Sequence, residues 1–151
     1  MTRAVSSTLM AVGAIGAAAQ TFAYFVYFEP ALLAILFFVA VFVVGAPLPQ
    51  RAAWVRRFLR PPLFALSTLA AAMSVAATVM GLDWQPRFIS ASIAAFFISV
   101  ALLLAGVTNQ CLQRATPVFA LIFLLISLGW WFSLARDDAA LRGSQRVTSW
   151  R

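Results

Sequence analysis

The chain has 151 residues, of which 64% are hydrophobic and 10% are charged, with a formal net charge of +7. Soluble globular domains average roughly 45–50% apolar residues, and a water-soluble domain of this size could not bury so much apolar surface. The composition therefore excludes an ordinary soluble domain and predicts an integral membrane protein. Alanine and arginine are abundant and lysine is absent, which indicates a bacterial source and hence the cytoplasmic (inner) membrane.

The positive charge does not indicate a nucleic-acid partner. All 11 basic residues are arginines, and they lie in the gaps between apolar runs and in the two tails rather than on one solvated face. Arginines in such gaps are typical of topogenic charge that also contacts anionic lipid headgroups. We therefore expect the bilayer itself, with its anionic headgroups, to be one partner of the chain.

Five apolar runs follow one another along the chain. A bilayer core about 30 Å thick needs roughly 20 helical residues, and no run alternates with the period of two that a barrel strand requires. We predict an all-α, polytopic membrane bundle of five transmembrane helices, with four as the alternative. The bundle occupies residues 1–135, and its helices are predicted at residues 7–28, 30–46, 63–82, 89–108 and 117–135.

The first two runs are separated only by Glu29 and Pro30. One helix through both would be about 60 Å long, twice the thickness of the core, so the chain must reverse between them. Proline suits the first turn of a new helix, so we expect Glu29 at a membrane interface. The alternative is a carboxylate that lines a transport pathway. A cleaved signal peptide ending near Ala17–Ala19 is a competing interpretation of the first run.

Residues 47–62 form a basic segment between the second and third runs. On a helix, its apolar and aromatic residues share one side and its arginines the other, which predicts a short amphipathic cytoplasmic helix in the headgroup plane. Pro117 is predicted to open the fifth helix in the same way that Pro30 opens the second. The candidates for contact with lipid headgroups or a partner are Arg51, Trp54, Arg56, Arg57 and Arg60.

Charge placement predicts the orientation. Arg3, the arginines of residues 47–62 and Arg114 belong on the cytoplasmic side, which places the N-terminus inside and the C-terminus in the periplasm. Two features depart from this rule: Arg87 falls on the outer side beside Asp83, and the polar tail, residues 136–151, carries four more arginines there.

Small and hydroxyl side chains recur at helical spacing in the first, third and fourth runs, and such faces pack helices closely in lipid. These three helices are predicted to form the core, while the bulky second and fifth face lipid or a partner. Gln20 is expected to bond to Ser74 or Ser99, and its alternative role, with Glu29, is to line a pathway. The predicted packing residues are Gly13, Gly16, Gln20, Ser67, Ala71, Ser74, Thr78, Ser92, Ser99 and Gly106.

No motif for catalysis, cofactor binding or metal binding is present. Without histidine or lysine there is no imidazole ligand, acid–base relay or Schiff base, and Cys111 alone cannot build a thiolate site. We therefore expect no catalytic residues, no cofactor and no enzyme activity. Two hypotheses follow: a non-catalytic subunit that stabilises a larger inner-membrane complex through other membrane subunits, or a small homo-oligomeric transporter or channel.

Overall fold

The computed structural model describes residues 2–27, 32–81 and 87–148. Within these ranges the chain is helical and contains no strand, which confirms the all-α prediction. A single 3-10 turn, Gln50–Ala52, precedes the third helix. The helices are α1 (Arg3–Tyr27), α2 (Leu32–Gly45), α3 (Ala53–Met80), α4 (Arg87–Ala105) and α5 (Gln110–Thr148).

The helices pack as two hairpins joined by α5. Helix α1 lies against α2, α3 lies against α4, and α5 contacts both α1 and α4. The Ser6 hydroxyl, near the start of α1, donates a hydrogen bond to the Gly45 carbonyl at the end of α2, so these two helices are antiparallel. The chain therefore reverses between Tyr27 and Leu32, while Glu29 and Pro30 themselves lie outside the described residues.

The core draws on α1, α2 and α4 more than on α3. Helix α2 buries Phe38, Val41 and Val44, although its bulk had predicted a surface facing lipid or a partner. In α3 only Leu63, Ser67 and Ala71 are buried, so this helix contributes less to the core than predicted. The buried core residues are Val5, Leu9, Val12, Phe38, Val41, Val44, Leu63, Phe96, Val100, Leu103, Leu104 and Ala120.

Two neighbouring phenylalanines of α2 account for part of its buried side. The rings of Phe37 and Phe97 meet edge to face with centroids 5.8 Å apart, and those of Phe38 and Phe96 lie 6.1 Å apart. Aromatic pairs at this separation add stability beyond the area that they bury. These rings join α2 to α4 across the centre of the bundle.

The structure contradicts the prediction of a separate in-plane helix within residues 47–62. Helix α3 begins at Ala53 and runs without interruption through Pro61 and Pro62 to Met80. Each proline removes one backbone hydrogen bond, to the carbonyl four residues earlier. Those carbonyls belong to Arg57 and Phe58, two exposed residues, so the loss is tolerated at this place.

Helix α5 begins seven residues before Pro117, the residue predicted to open it. The side-chain oxygen of Asn109 accepts the Cys111 N–H at 2.9 Å, and the Asn109 carbonyl accepts the Gln113 N–H at 3.0 Å. Asn109 is therefore a side-chain N-cap, a stronger start signal than the proline. At its other end the helix continues to Thr148, through most of the predicted polar tail.

Local signals also set the start of α1 and the end of α3. Thr2 caps α1, because its hydroxyl accepts the Val5 N–H at 3.4 Å, and α1 therefore begins four residues before the predicted position 7. Gly81, with φ of 61°, ends α3 in the left-handed region that favours glycine.

Two helical segments of the described chain are long and apolar enough to cross a membrane, Arg3–Phe22 and Gln50–Met80. Two shorter apolar helices, Leu32–Gly45 and Ile89–Ala105, lie beside them. The described chain is therefore helical, with two segments rather than five that are able to span a membrane by length and composition.

Candidate functional site at the arginine end of the bundle

One end of the bundle collects the start of α1, the end of α2, the start of α3, the end of α4 and the start of α5. Hydrogen bonds between these segments, from Ser6, Arg56 and Arg60, fix the arrangement. We call this region the arginine end. Its arginines are Arg3, Arg51, Arg56, Arg57, Arg60 and Arg114.

Helix α4 reaches the arginine end and stops at Gly106. This glycine has φ of 95°, its N–H bonds to the Leu103 carbonyl at 3.1 Å, and the Val107 N–H bonds to the Leu102 carbonyl at 3.0 Å. These are the paired hydrogen bonds of a Schellman motif. Gly106 was predicted to pack against another helix; in the structure it is exposed and ends α4.

Arg60 completes the end of α4. Its Nε–H donates to the carbonyl of Leu104, which lies next to the carbonyls used by the Schellman motif. A β-carbon added at Gly106 would lie 3.3 Å from the Arg60 guanidinium, so the glycine also leaves room for this side chain. A helix C-terminus carries partial negative charge, which an arginine stabilises.

Arg56, one turn earlier on α3, donates in the same way to the C-terminal end of α2. Its Nη2 donates to the carbonyl of Ala46, immediately after the last residue of α2. The preceding carbonyl, that of Gly45, accepts the Ser6 hydroxyl from α1. Carbonyls at a helix end have no partner within the helix, so these contacts satisfy groups that would otherwise remain unpaired. Arg56 and Arg60 thus connect α3 to the ends of α2 and α4.

The remaining predicted contact residues of this segment point outward. Trp54 and Phe58 are 68% and 73% exposed, and Arg51 and Arg57 are also exposed. A surface pocket of about 530 Å³ is lined by Ala53, Trp54, Arg57 and Phe58. The structure therefore separates the five predicted residues: Arg56 and Arg60 contact other helices, whereas Arg51, Trp54 and Arg57 remain on the surface.

The predicted packing glycines of α1 lie against α2 rather than α3 or α4. A β-carbon at Gly13 would lie 2.5 Å from the backbone nitrogen of Phe42, and one at Gly16 would overlap the ring of Phe38. Gly45 of α2 closes the same interface, because its β-carbon would lie 2.7 Å from the Met10 nitrogen. Sequence reasoning missed Gly45, whose signal was its position just before the Pro47 break.

The predicted stripe on α3 lies on one face, and its burial decreases along the helix. Ser67 is fully buried, Ala71 is 7% exposed, and Ser74 and Thr78 are half-buried. Arg56, Arg60 and Leu63 extend this face toward the N-terminus at the same three- and four-residue spacing. The inner face of α3 therefore begins with two arginines, which the sequence pattern had placed on a solvated side.

The hydroxyl groups bond mainly within their own helices. Thr78 donates to the Ser74 carbonyl at 2.8 Å, Ser99 to the Ala95 carbonyl at 2.7 Å, and Thr116 to the Leu112 carbonyl at 2.6 Å. Such bonds to the residue four positions earlier are common for hydroxyl side chains in helices. Ser92 of the predicted α4 face is half-buried, and Ser67 Oγ is buried without a hydrogen-bond partner.

Gln20 is buried, at 8% exposure, in the second half of α1. No hydrogen bond joins it to Ser74 or Ser99 in the part of the chain that the structure describes, so the expected pairing is not formed there. The other predicted pathway residue, Glu29, lies outside the described residues.

Comparison with known proteins gives no match to a protein-family model, to a curated protein or to a solved structure.

Proposed function

We propose that this chain is a multi-pass protein of the bacterial inner membrane in which all five helices cross the bilayer. The proposal is supported by apolar side chains exposed on the outside of the bundle, such as Leu33 at 83% and Val79 at 78%. Lipid, rather than water, is the solvent that tolerates such a surface. Further exposed examples are Phe22, Phe25, Leu36, Leu69, Met73, Ile98, Leu125 and Phe132.

The arginine end faces the cytoplasm in this proposal. Six arginines gather there, as the preference for positive charge on the cytoplasmic side requires. The N-terminus is then cytoplasmic and the C-terminus periplasmic. A periplasm-active reporter fused after Arg151 tests this orientation: an active fusion is expected, and an inactive fusion with normal protein abundance contradicts five crossings.

The function proposed for the chain is that of a non-catalytic subunit that stabilises or organises a larger membrane complex. The observation that carries this proposal is the internal use of polar groups. Most hydroxyls bond to their own helices, and Arg56 and Arg60 bond to helix ends, which leaves apolar faces outside. Such an outer surface suits contact with other membrane helices.

Helix α5 offers a second surface for a partner. Its 39 residues correspond to about 58 Å, well beyond the roughly 30 Å core of a bilayer. Residues 136–148 alone add about 20 Å. Arg136 and Asp137, at the start of this extension, are exposed. A charged helix outside the membrane can bind a periplasmic part of a partner.

Blue-native electrophoresis after extraction in mild detergent tests the subunit proposal. The full chain is expected to comigrate with larger, different membrane proteins, and a variant lacking residues 136–151 is expected to leave that complex while it remains in the membrane. Migration of the full chain only as a homo-oligomer contradicts the proposal.

A small homo-oligomeric transporter or channel is the second candidate, and the observation in its favour is the buried amide of Gln20. A polar side chain among apolar helices is costly unless it serves a purpose, such as contact with a solute. The Gln20→Leu change would abolish transport at unchanged abundance in a transporter, whereas a subunit would keep its function. Gln110→Leu, which removes an exposed amide at the start of α5, is the control.

A further inference from the structure

The first two turns of α3 carry an exposed face that none of the internal contacts uses. Trp54 lies three residues before Arg57 and four before Phe58, so it neighbours both on the helix surface, and all three line the pocket there. The sequence pattern had placed Arg57 on the side opposite the aromatic residues. A cation between two large aromatic side chains is a combination suited to a ligand that is both anionic and partly apolar.

Arg57 is free to bind such a ligand. Among the described residues it makes no hydrogen bond or ion pair, whereas Arg56 and Arg60 beside it donate to backbone carbonyls. The first turn of α3 contains no acidic residue to compete for the guanidinium. Arg51 of the preceding 3-10 turn is also exposed and adds a second positive charge nearby.

The same side of α3 becomes apolar beyond the pocket. Leu69 and Val79, 59% and 78% exposed, follow Trp54 and Phe58 along the helix at helical spacing, with the exposed Ala72 between them. The face therefore changes from cationic and aromatic to apolar over its length. A phospholipid is complementary to this face, because its anionic phosphate is followed by apolar acyl chains.

We propose that the pocket formed by Trp54, Arg57 and Phe58 binds the phosphate of an anionic phospholipid whose acyl chains lie along the exposed apolar side of α3. This inference rests on the proposal that the chain spans a membrane. It assigns lipid binding to Arg57, while Arg56 and Arg60 hold the helices together.

Spin-labelled lipids test this site in the full chain, reconstituted into phosphatidylcholine vesicles. Electron paramagnetic resonance measures the association of labelled phosphatidylglycerol relative to labelled phosphatidylcholine. We expect the protein to favour phosphatidylglycerol and Arg57→Gln to lower that preference about fivefold. Arg57→Lys should retain most of it. Arg114→Gln, which removes another exposed charge at the arginine end, should leave it within about twofold.

Three outcomes overturn the inference: no preference for phosphatidylglycerol, equal losses in Arg57→Gln and Arg114→Gln, or displacement by inorganic phosphate but not by chloride at the same ionic strength. The last outcome assigns the site to a soluble phosphate compound.

A Trp54→Ala variant gives a second check, since loss of the ring should weaken binding while all the arginines remain. A carbonate wash separates the two proposals: a chain released by carbonate contradicts the membrane proposal, and a retained chain without lipid preference contradicts only the lipid site.

Discussion

Replacing Gly13 by alanine adds one methyl group, which should push α1 and α2 apart. The β-carbon of an alanine would lie 2.5 Å from the Phe42 nitrogen and 2.6 Å from its Cα, far inside ordinary van der Waals contact. These are backbone atoms, so no rotamer change relieves the overlap, and α2 would have to move by about an ångström.

Two opposing terms set the magnitude. Overpacking a well-packed interface costs about 1–3 kcal/mol, and a backbone clash lies toward the upper end of that range. Alanine gains about 1 kcal/mol over glycine in a helix interior. We therefore expect Gly13→Ala to lower the free energy of unfolding by about 1–2 kcal/mol.

Gly129→Ala is the matched control. No atom lies within 4 Å of a β-carbon built there, so the change should give the helix-propensity gain alone, about 1 kcal/mol of added stability. Thermal unfolding of the two variants in the same mild detergent, followed by size-exclusion chromatography of the heated samples, measures the difference. If Gly13→Ala is as stable as Gly129→Ala, the close contact between α1 and α2 does not exist.

Three further predictions use the same thermal assay. Arg60→Met should lower the free energy of unfolding by about 2 kcal/mol, because the Leu104 carbonyl loses a charged donor. Arg57→Met should change it by less than about 0.5 kcal/mol. Equal effects would contradict the different roles assigned to the two arginines. Ser67→Ala should be neutral or stabilising, because the buried hydroxyl has no partner, and a clear loss of stability would reveal a hydrogen bond at this position. Asn109→Ala should cost about 1 kcal/mol through loss of the N-cap of α5, and no change would mean that α5 starts elsewhere.

Periodicity along the chain was sufficient to predict the helical class and several helix faces. Ser67, Ala71, Ser74 and Thr78 do share one side of α3, because 3.6 residues per turn places them there in any environment. The packing role of Gly13 and Gly16 followed from their size alone. The sequence did not predict their partner helix, because a small residue permits close approach by any neighbour.

Helix ends were predicted less well, because several signals compete at each one. Pro117 was chosen as the start of α5, but the side chain of Asn109 supplies a hydrogen bond that the proline cannot. Pro61 and Pro62 were interpreted as a boundary, although their unpaired carbonyls lie at exposed residues, where the loss is small. Exposure is a tertiary property, so the continuation of α3 through these prolines could not be predicted from the order of residues.

The order of residues by itself determined that this chain is a set of apolar helices with arginines in the gaps, because composition and helical spacing act locally. Only the tertiary structure decided which helices pair and which arginines remain free. Arg56, Arg57 and Arg60 look alike in the sequence, yet two of them bond to helix ends and one faces outward. Their roles differ because the carbonyls of Ala46 and Leu104 approach α3 from one side, and that approach exists only after the helices have packed.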